Sequence, residues 1–245
     1  MSVFPDISQL AIITSHVGAD SLPSALLSWG GTIATFVQNG QDGMLNGYER
    51  GFHATQLYRF TILAFFHDDL LIHQSLWFDR VLREFDNPEV GLVGFGAALS
   101  HGDPAMYQIP YDYQQLGRSH FLSNMDDAER HGERFAGSCD VAVLDGFSLI
   151  VRREILEKAG GWPIKQLSLN GVNAPLHHCY DYWLSCMTRR LGYKIRLVGV
   201  SCQHLGGRTF VKLGLGKGDA NWQQFLHAHR YIYDEFRDVL PWSVT

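Results

Sequence analysis

The sequence predicts an α/β fold in which a mostly parallel central sheet is flanked by helices. Three apolar runs are continuous rather than alternating: "LAIIT" at 10–14, "TIATFV" at 32–37 and "TILAFF" at 61–66. Strands that are buried on both faces of a parallel sheet have this pattern. A helix-like segment and a fourth apolar run at 90–93 follow, and such alternation favours a layered fold with a mainly parallel sheet.

Helices are predicted between and after these strands. The stretch "SLWFDRVLREF" places Phe78, Val81 and Leu82 on one helical face. "RREILEKAGG" indicates a short helix that ends at Gly160. "YDYWLSCMTRRLG" indicates a longer helix with two arginines in its last turn. "VAVLDGFSLIV" and "YKIRLVGV" have strand character, and "ANWQQFLHAHRYIYDEFRDVL" predicts a last amphipathic helix.

Two stretches have no clear period. Residues 98–138 are rich in Gly, Asp, His and Tyr, and they predict a long loop region or an insertion. The stretch "GGRTFVKLGLGKGD", at 206–219, contains five glycines and two lysines and predicts a mobile loop. Such a loop could close over a bound substrate and exclude water from it.

The composition is ordinary for a soluble globular chain. The 245 residues are 46% hydrophobic and 18% charged, with a formal net charge of -5 and a pI of about 6.2. The acidic balance argues against a surface that binds mainly nucleic-acid phosphates. The four cysteines form no CxxC pair, the first residues resemble no signal peptide, and no apolar run approaches the roughly 20 residues of a membrane span. We therefore expect a cytoplasmic protein without an integral membrane span.

Polar and glycine-containing clusters follow the first three apolar runs: "TSHVGAD", "QNGQDG" and "HDD". Ligands of open α/β sheets bind beyond the carboxyl ends of the strands, so we expect these clusters to line one crevice. A divalent cation there could satisfy Asp68 and Asp69. Carboxylate oxygens suit Mg²⁺ or Mn²⁺, and an added imidazole shifts the preference towards Mn²⁺. The two acids could instead begin the following helix, where negative charge is favourable. The doublet alone leaves both interpretations open.

A set of motifs occurs in a recognisable order. "HDD" closes the third apolar run and is followed by "RVLREFDNPEVGLVG" and then by "DGFSLIVRREILEKAGGW". An acid next opens a helix that ends in "RRLGYKIRLV", and a His-Gly-Gly element follows. This order resembles that of the family 2 glycosyltransferases of the GT-A fold, from residue 11 to about residue 207. "HDD" takes the place of their DxD motif.

The resemblance implies one Rossmann-like GT-A domain over residues 1–245. Its mostly parallel sheet would be flanked by helices, with a C-terminal acceptor-side portion. Residues 1–97 would form the nucleotide-sugar-binding half and residues 98–207 the acceptor-side half. Residues 208–245 would contain the mobile loop and the C-terminal helix.

The resemblance also implies the residues of the site. Asp69 would bind the metal that bridges the donor diphosphate, and His204 in "CQHLGG" would complete the metal site. His67 and Asp68 would lie near the ribose or the metal, and Asp181 would act as the general base. The other implied positions are the nucleotide contacts Thr14, Ser15, His16, Asn39 and Asp42, and the acceptor-site floor of Asp145 and Gly146.

The implied activity is that of a metal-dependent, inverting glycosyltransferase. It would use Mn²⁺ or Mg²⁺ and a nucleotide-diphosphate sugar, UDP-linked, with a hydroxyl acceptor such as a glycan, a lipid-linked saccharide or a modified nucleobase. A DNA acceptor is not favoured, because the chain is acidic. The leaving diphosphate needs a cation to neutralise it, and the acceptor hydroxyl needs a positioned base.

Three places depart from the family pattern. His67 stands where a DxD motif has its first Asp, and Tyr180 precedes Asp181 where a Glu is common. Gln38 and Asn39 stand where relatives often carry an Asp that reads the base, so the nucleotide stays open.

Alternative interpretations concern the same residues. Asp181 could be an acid at a helix N-terminus, and His204 could be a core histidine that hydrogen-bonds a carbonyl. A zinc site would draw on His177, His178, Cys179, Cys186, Cys202 and His204, whose spacing matches no usual zinc pattern.

Two rival functions share the predicted sheet. A sugar-phosphate nucleotidyltransferase would carry a Gly-rich basic signature after the first strand, which "TSHVGADSLP" lacks. A non-catalytic nucleotide-sugar-binding module is disfavoured by the intact Asp69, Asp181 and His204.

Overall fold

The computed structural model describes residues 7–16, 18, 20–101, 121–164, 167–169, 172–174, 179–206, 220–240 and 242–244. The predicted mobile loop falls at 206–219, so all of it except Gly206 lies outside the described residues. His177 and His178 of the hypothetical zinc site also lie outside them.

A seven-stranded mixed sheet forms the centre of the fold. Its strands are β1 (Leu10–His16), β2 (Ala34–Asn39), β3 (Ile62–His67), β5 (Val90–Gly94), β10 (Ser138–Asp140), β12 (Ser148–Arg152) and β15 (Lys194–Val198). Their order is β10-β15-β5-β12-β3-β1-β2. Five strands run in one direction, whereas β12 and β10 run antiparallel to their neighbours. The predicted mostly parallel sheet is therefore confirmed.

Helices cover both faces of this sheet. They are α1 (Leu22–Trp29), α2 (Met44–Ala54), α3 (Trp77–Glu84), α4 (Ala128–His131), α5 (Arg153–Ala159), α6 (Tyr180–Arg190) and α7 (Ala220–Glu235). Successive residues of β1 point to opposite faces. Ile13 packs in a core cluster with residues of α2, α5, α6 and α7, and Ile12 packs in a second cluster with residues of α1 and α3. None of the helices that the described residues form has the length and hydropathy needed to span a bilayer.

Strand β2 differs from its prediction. The apolar run at 32–37 predicts a strand buried on both faces, but Ala34–Asn39 lies at the edge of the sheet and none of its residues is buried. Strands β1 and β3 lie inside the sheet, and all but the last residue of each is buried, as predicted. A run of apolar residues reports strand propensity but cannot tell an edge position from a central one.

Residues 98–138 contain more structure than a loop. A four-stranded sheet in the order β11-β6-β8-β9 consists of β6 (Gly96–Ala98), β8 (Phe121–Ser123), β9 (Glu133–Arg134) and β11 (Val143–Leu144). Residues 102–120 lie outside the described residues. The loop-region alternative is therefore wrong for the described parts, because two- and three-residue strands are too short to show a period. The insertion alternative stays a prediction.

Short two-stranded ladders bring distant segments together. β4 (Leu70–Ile72) pairs antiparallel with β16 (Cys202–His204), and β7 (Ser100–His101) pairs with β17 (Trp242–Ser243). A further hairpin joins β13 (Leu167–Leu169) to β14 (Val172–Ala174). The β4–β16 pair places the segment that follows β15 beside the turn that contains Asp68 and Asp69.

The turn after β3 excludes one interpretation of the acidic doublet. Asp68 and Asp69 form the tight connection between β3 and β4, and the next helix, α3, begins only at Trp77. The two acids therefore do not begin a helix, and another partner must account for their position at the end of a buried strand.

Candidate active site

The three parallel strands β1, β2 and β3 end together at one edge of the sheet. Ser15 is opposite Gln38 on one side and His67 on the other, and His16 is opposite Asn39. The three polar clusters that the sequence places after these strands therefore meet in one region. This is the edge at which open α/β sheets bind ligands.

The two acids of the doublet face different partners. Asp68 Oδ2 lies 3.0 Å from Nδ1 of His16, whereas Asp69 Oδ1 lies 3.3 Å from Nε2 of His204. The backbone N–H of Gly18 donates to Nε2 of His16 at 3.2 Å, so Nδ1–H of His16 is left to donate to Asp68. The hydroxyl of Ser21 also donates to the Asp68 carbonyl. Asp68 thus links the ends of β1 and β3 through its contact with His16. Asp69 instead forms a cluster with His204.

The β4–β16 ladder delivers His204 to this position. His204 is paired with Leu70, and the backbone N–H of Leu205 donates to the Asp69 carbonyl at 3.1 Å. The imidazole of His204 stacks on Phe147, with ring centroids 4.9 Å apart and an interplanar angle of 21°. A Cβ on Gly206 would collide with the same ring, so the backbone of Gly206 approaches His204 closely.

His67, Asp69 and His204 bring their donor atoms together. Nδ1 of His67 lies 3.1 Å from Nε2 of His204, and one ligand atom of each of the three residues lies within 4.8 Å of the others. Among the described residues, no other such group of His, Cys, Asp and Glu side chains could share an ion. The resemblance places Asp69 and His204 at the metal, and the structure adds His67 to their cluster.

The charges of the cluster are set by burial and by its own members. Burial raises the pKa of Asp69, but the hydrogen bond and charge of His204 outweigh burial, and the pKa lies below its usual value. Burial alone would lower the pKa of His204, but Asp69 raises it above its usual value. Burial and the charge of His204 lower the pKa of His67 to about 3, so His67 is neutral and keeps one nitrogen lone pair.

These donors fit a divalent cation. Neighbouring ligands of an octahedral cation bound at ~2.1 Å lie about 3.0 Å apart. The separations of 3.1 Å between the two imidazoles and 3.3 Å between His204 and Asp69 are close to that value. One carboxylate and two imidazoles suit Mn²⁺ and its neighbours in the transition series better than Mg²⁺.

The other nitrogen of His67 contacts Tyr180. His67 Nε2 lies 2.7 Å from the phenolic oxygen of Tyr180, the first residue of α6. Burial raises the pKa of Tyr180 well above its usual value, so the phenol is neutral. A Cβ on Gly146 would collide with the Tyr180 hydroxyl, so glycine is needed there to leave room for it.

Asp181 lies in the first turn of α6, next to Tyr180. Its Oδ1 accepts the backbone N–H of Tyr182 at 2.9 Å. Burial and then the negative charge of Asp145 raise the pKa of Asp181 to about 7. A carboxyl with this pKa can accept a proton near neutrality. Asp181 does lie in the first turn of α6, as the helix-start interpretation expected, but its pKa is raised rather than lowered.

The nucleotide contacts implied at the first two strands are only partly directed into the crevice. Asp42 is exposed and forms an ion pair with Arg50 at 2.6 Å, and Arg50 also donates to the carbonyl of Asn39. Oδ1 of Asn39 accepts the backbone N–H of Gln41 at 2.9 Å. These contacts shape the turn after β2 and do not bring Asp42 into the cluster around Asp69.

Thr14 and Ser15 are buried below the edge of the sheet. Neither hydroxyl has a hydrogen-bond partner among the residues that the structure describes. Ser15 packs against Gly47 of α2, where a Cβ would collide with its hydroxyl. His16 is therefore the one implied contact of β1 whose side chain is shown to face the acidic turn.

The alternative zinc site is not assembled by the described cysteines. None of the described cysteines belongs to a group of three or more His, Cys, Asp and Glu side chains that could share an ion. Cys186 lies 3.8 Å from Nδ1 of His101, away from the cluster of Asp69.

No protein-family model matches this sequence, and no curated protein matches it. Among solved structures, GalNAc-T7 with UDP, GalNAc and Mn²⁺ is similar over 95% of this chain and 44% of that chain, with a TM-score of 0.50 and 11% identity. This chain has the GT-A fold. The mannosyltransferase PcManGT from Pyrobaculum calidifontis, in complex with GDP-Man and Mn²⁺, is similar over 94% of this chain and 72% of that chain (TM-score 0.44, 17% identity). The catalytic domain of Drosophila β1,4-galactosyltransferase 7 with xylobiose is similar over 89% of this chain and 79% of that chain (TM-score 0.46, 16% identity).

Tyr180 is the residue of this GT-A site that sequence reasoning missed. The sequence shows only that Tyr180 and His67 stand at two of the places where the chain departs from the pattern of the family that it resembles. The two departures lie 113 positions apart in sequence, yet their side chains touch. The signal available in the sequence was that both departures fall at positions that the resemblance assigns to the same site.

Proposed function

We propose that this protein is a metal-dependent, inverting glycosyltransferase of the family 2 kind. It moves a sugar from a nucleotide-diphosphate sugar to a hydroxyl acceptor. The observation that carries the proposal is the cluster of His67, Asp69 and His204 at the carboxyl edge of a GT-A sheet. The similar GalNAc-T7 structure contains UDP and Mn²⁺, and we therefore propose a UDP-linked donor.

Asp69 and His204 hold the cation in this proposal. When bound, a divalent cation neutralises the charge that develops on the leaving diphosphate. The chain's own residues orient the donor around it. His16 and Asp68 form the wall of the crevice between β1 and β3, where the nucleotide and ribose are expected, and Asn39 borders the same edge from β2.

Asp181 is the proposed general base. Its carboxylate takes the proton of the acceptor hydroxyl as the acceptor oxygen forms a bond to the anomeric carbon. The bond from that carbon to the diphosphate oxygen breaks, and the diphosphate leaves with the electron pair. One displacement inverts the anomeric centre, and the transition state is oxocarbenium-like, as in other glycosyl transfers. Asp145 and Gly146 lie beside Asp181 and Tyr180 and would form the acceptor floor.

The test uses water as the acceptor, because the natural hydroxyl acceptor is unidentified. UDP-, GDP-, CDP- and dTDP-sugars are incubated with the protein and Mn²⁺, and the released nucleoside diphosphate is measured. We expect one nucleotide to be released, with inversion of the sugar seen by proton NMR before mutarotation. Both Asp69→Asn and Asp181→Asn should abolish release of the nucleoside diphosphate. Asp181→Asn should nevertheless leave Mn²⁺-dependent donor binding intact.

The same assay separates the rival functions. A nucleotidyltransferase would instead form nucleoside triphosphate when pyrophosphate is supplied. A binding module would bind a donor and release no diphosphate. Either result contradicts the proposed function.

A further inference from the structure

The contact between His67 and Tyr180 determines how His67 can meet an ion. A neutral imidazole has one N–H and one lone pair, on different nitrogens. Nδ1 of His67 faces His204, and Nε2 faces Tyr180. His67 can therefore bind an ion through Nδ1 only when its proton is on Nε2, and the Tyr180 oxygen is the group 2.7 Å away that can accept that proton's hydrogen bond.

We propose that Tyr180 is a positioning residue that presents the Nδ1 lone pair of His67 to the cation. The centre then has two imidazoles and one carboxylate and selects Mn²⁺ over Mg²⁺. This inference rests on the proposed function, because it concerns the metal on which that function depends. Metal-bound histidines generally donate their second N–H to an oxygen acceptor, and losing that acceptor costs about 10- to 100-fold in metal affinity.

The surroundings of Tyr180 hold its hydroxyl in place. Its ring packs against Tyr48 and Trp162, with centroids 6.1 Å away in both cases, and only 5% of the residue is exposed. The glycine backbone at Gly146 leaves the hydroxyl its space. This packing restricts movement of the phenol away from His67, which is what a positioning group requires.

The selectivity follows from the donor set. A carboxylate in place of His67 would give the oxygen-rich site that Mg²⁺ prefers. A second imidazole favours ions that accept nitrogen ligands, in the order of the transition series. Tyr180 contributes to this preference only through His67, so its effect must disappear when His67 is removed.

The experiment measures Mn²⁺ binding to the full chain without nucleotide, from the loss of the electron paramagnetic resonance signal of free Mn²⁺, with Mg²⁺ as competitor. We expect Tyr180→Phe to weaken Mn²⁺ binding about 10- to 100-fold and to lower the preference for Mn²⁺ over Mg²⁺. Tyr48→Phe is the matched control. Tyr48 is a fully buried tyrosine of the same aromatic cluster, and its hydroxyl has no hydrogen-bond partner among the described residues, so its Mn²⁺ affinity should stay within about twofold.

A double-mutant cycle distinguishes positioning from a structural effect. In the His67→Ala background, Tyr180→Phe should cause no further loss of Mn²⁺ affinity. An equal loss in both backgrounds would overturn the inference, and so would wild-type affinity in the single Tyr180→Phe variant. The melting temperature of each variant without metal verifies that it folds.

The failure of this inference is distinguishable from that of the proposed function. One outcome is that the protein does not bind Mn²⁺ alone but is stabilised by a nucleoside diphosphate together with Mn²⁺. In that case the inference of a preformed three-ligand metal centre is wrong, and the proposed function stands. If neither Mn²⁺ alone nor Mn²⁺ with any nucleoside diphosphate binds, both are wrong.

Discussion

The carboxylate of Asp68 is turned towards His16, with Oδ2 3.0 Å from Nδ1, and away from the cluster that its neighbour Asp69 forms with His204. Adjacent acids therefore have separate tasks. Asp68 joins the ends of β1 and β3, and Asp69 supplies the one carboxylate of the proposed metal centre.

This division predicts different effects for two matched substitutions. Asp69→Asn should abolish Mn²⁺ binding, because a neutral amide replaces the anionic ligand. Asp68→Asn should leave Mn²⁺ affinity within about threefold, since its side chain faces His16 and does not lie with the other donors. Titration with Mn²⁺ checks both. Loss of binding in Asp68→Asn with retention in Asp69→Asn would reverse the assignment.

The charge of Asp145 predicts the pH dependence of activity. Asp181 must be ionised to act as a base, and its pKa is raised to about 7 by burial and then by Asp145. Nucleoside diphosphate release should therefore rise with pH through about 7. Asp145→Asn removes the negative charge that contributes to the raised pKa of Asp181. The midpoint of the rise should therefore move to lower pH, whatever the maximal rate of the variant. An unchanged midpoint, or one at higher pH, would show that another group is titrating.

The same carboxyl predicts a pH-dependent stability. The pKa of Asp181 rises from an ordinary value of 3.8 in the unfolded chain to about 7 in the fold, so the folded chain binds the proton more tightly. This contribution to stability is complete below about pH 3.8 and is lost as the pH rises through about 7.

The Asp181→Asn variant has no titrating carboxyl at this position, so it does not show this loss of stability as the pH rises. The melting temperature of the variant, relative to the wild type, should therefore be higher at pH 8 than at pH 5. Thermal denaturation at both pH values measures the difference. A difference that does not change with pH would mean that the pKa of Asp181 is not raised in the folded chain.

The close packing of Gly146 against Tyr180 allows a steric test of the contact between Tyr180 and His67. A Cβ at Gly146 would collide with the Tyr180 hydroxyl, so Gly146→Ala should displace it from His67 and weaken Mn²⁺ binding about as much as Tyr180→Phe does. Gly31→Ala is the control, because nothing lies within 4 Å of a Cβ there and the backbone is not in the left-handed region. Equal Mn²⁺ affinity in both variants would contradict the packing argument.

The sequence predicts those parts of the fold that are marked by a long buried run or by an amphipathic period. Strands β1 and β3 and the amphipathic α3 are found where the apolar pattern places them, because long buried runs leave an unambiguous signal. The edge position of β2 and the short strands of residues 98–138 depend on which strand pairs with which, and local pattern carries no such information.

The site divides in the same way. The meeting of the first three polar clusters follows from parallel strands ending together, so it is predictable. His204 reaches Asp69 through the pairing of β4 with β16, and only the family resemblance pointed to it. The contact of His67 with Tyr180 required knowledge of how α6 packs on the sheet, which neither residue's neighbours in the sequence reveal.

The central claim is that this GT-A sheet binds a nucleoside diphosphate through a metal held by Asp69. The most direct measurement is the melting temperature with UDP, GDP, CDP and dTDP, each with and without Mn²⁺, in the wild type and in Asp69→Asn. A ligand that binds only the folded state raises the melting temperature by mass action. We predict stabilisation by UDP that requires Mn²⁺ and is lost in Asp69→Asn. No stabilisation by any of the four nucleotides, or stabilisation that persists in Asp69→Asn, would contradict the claim.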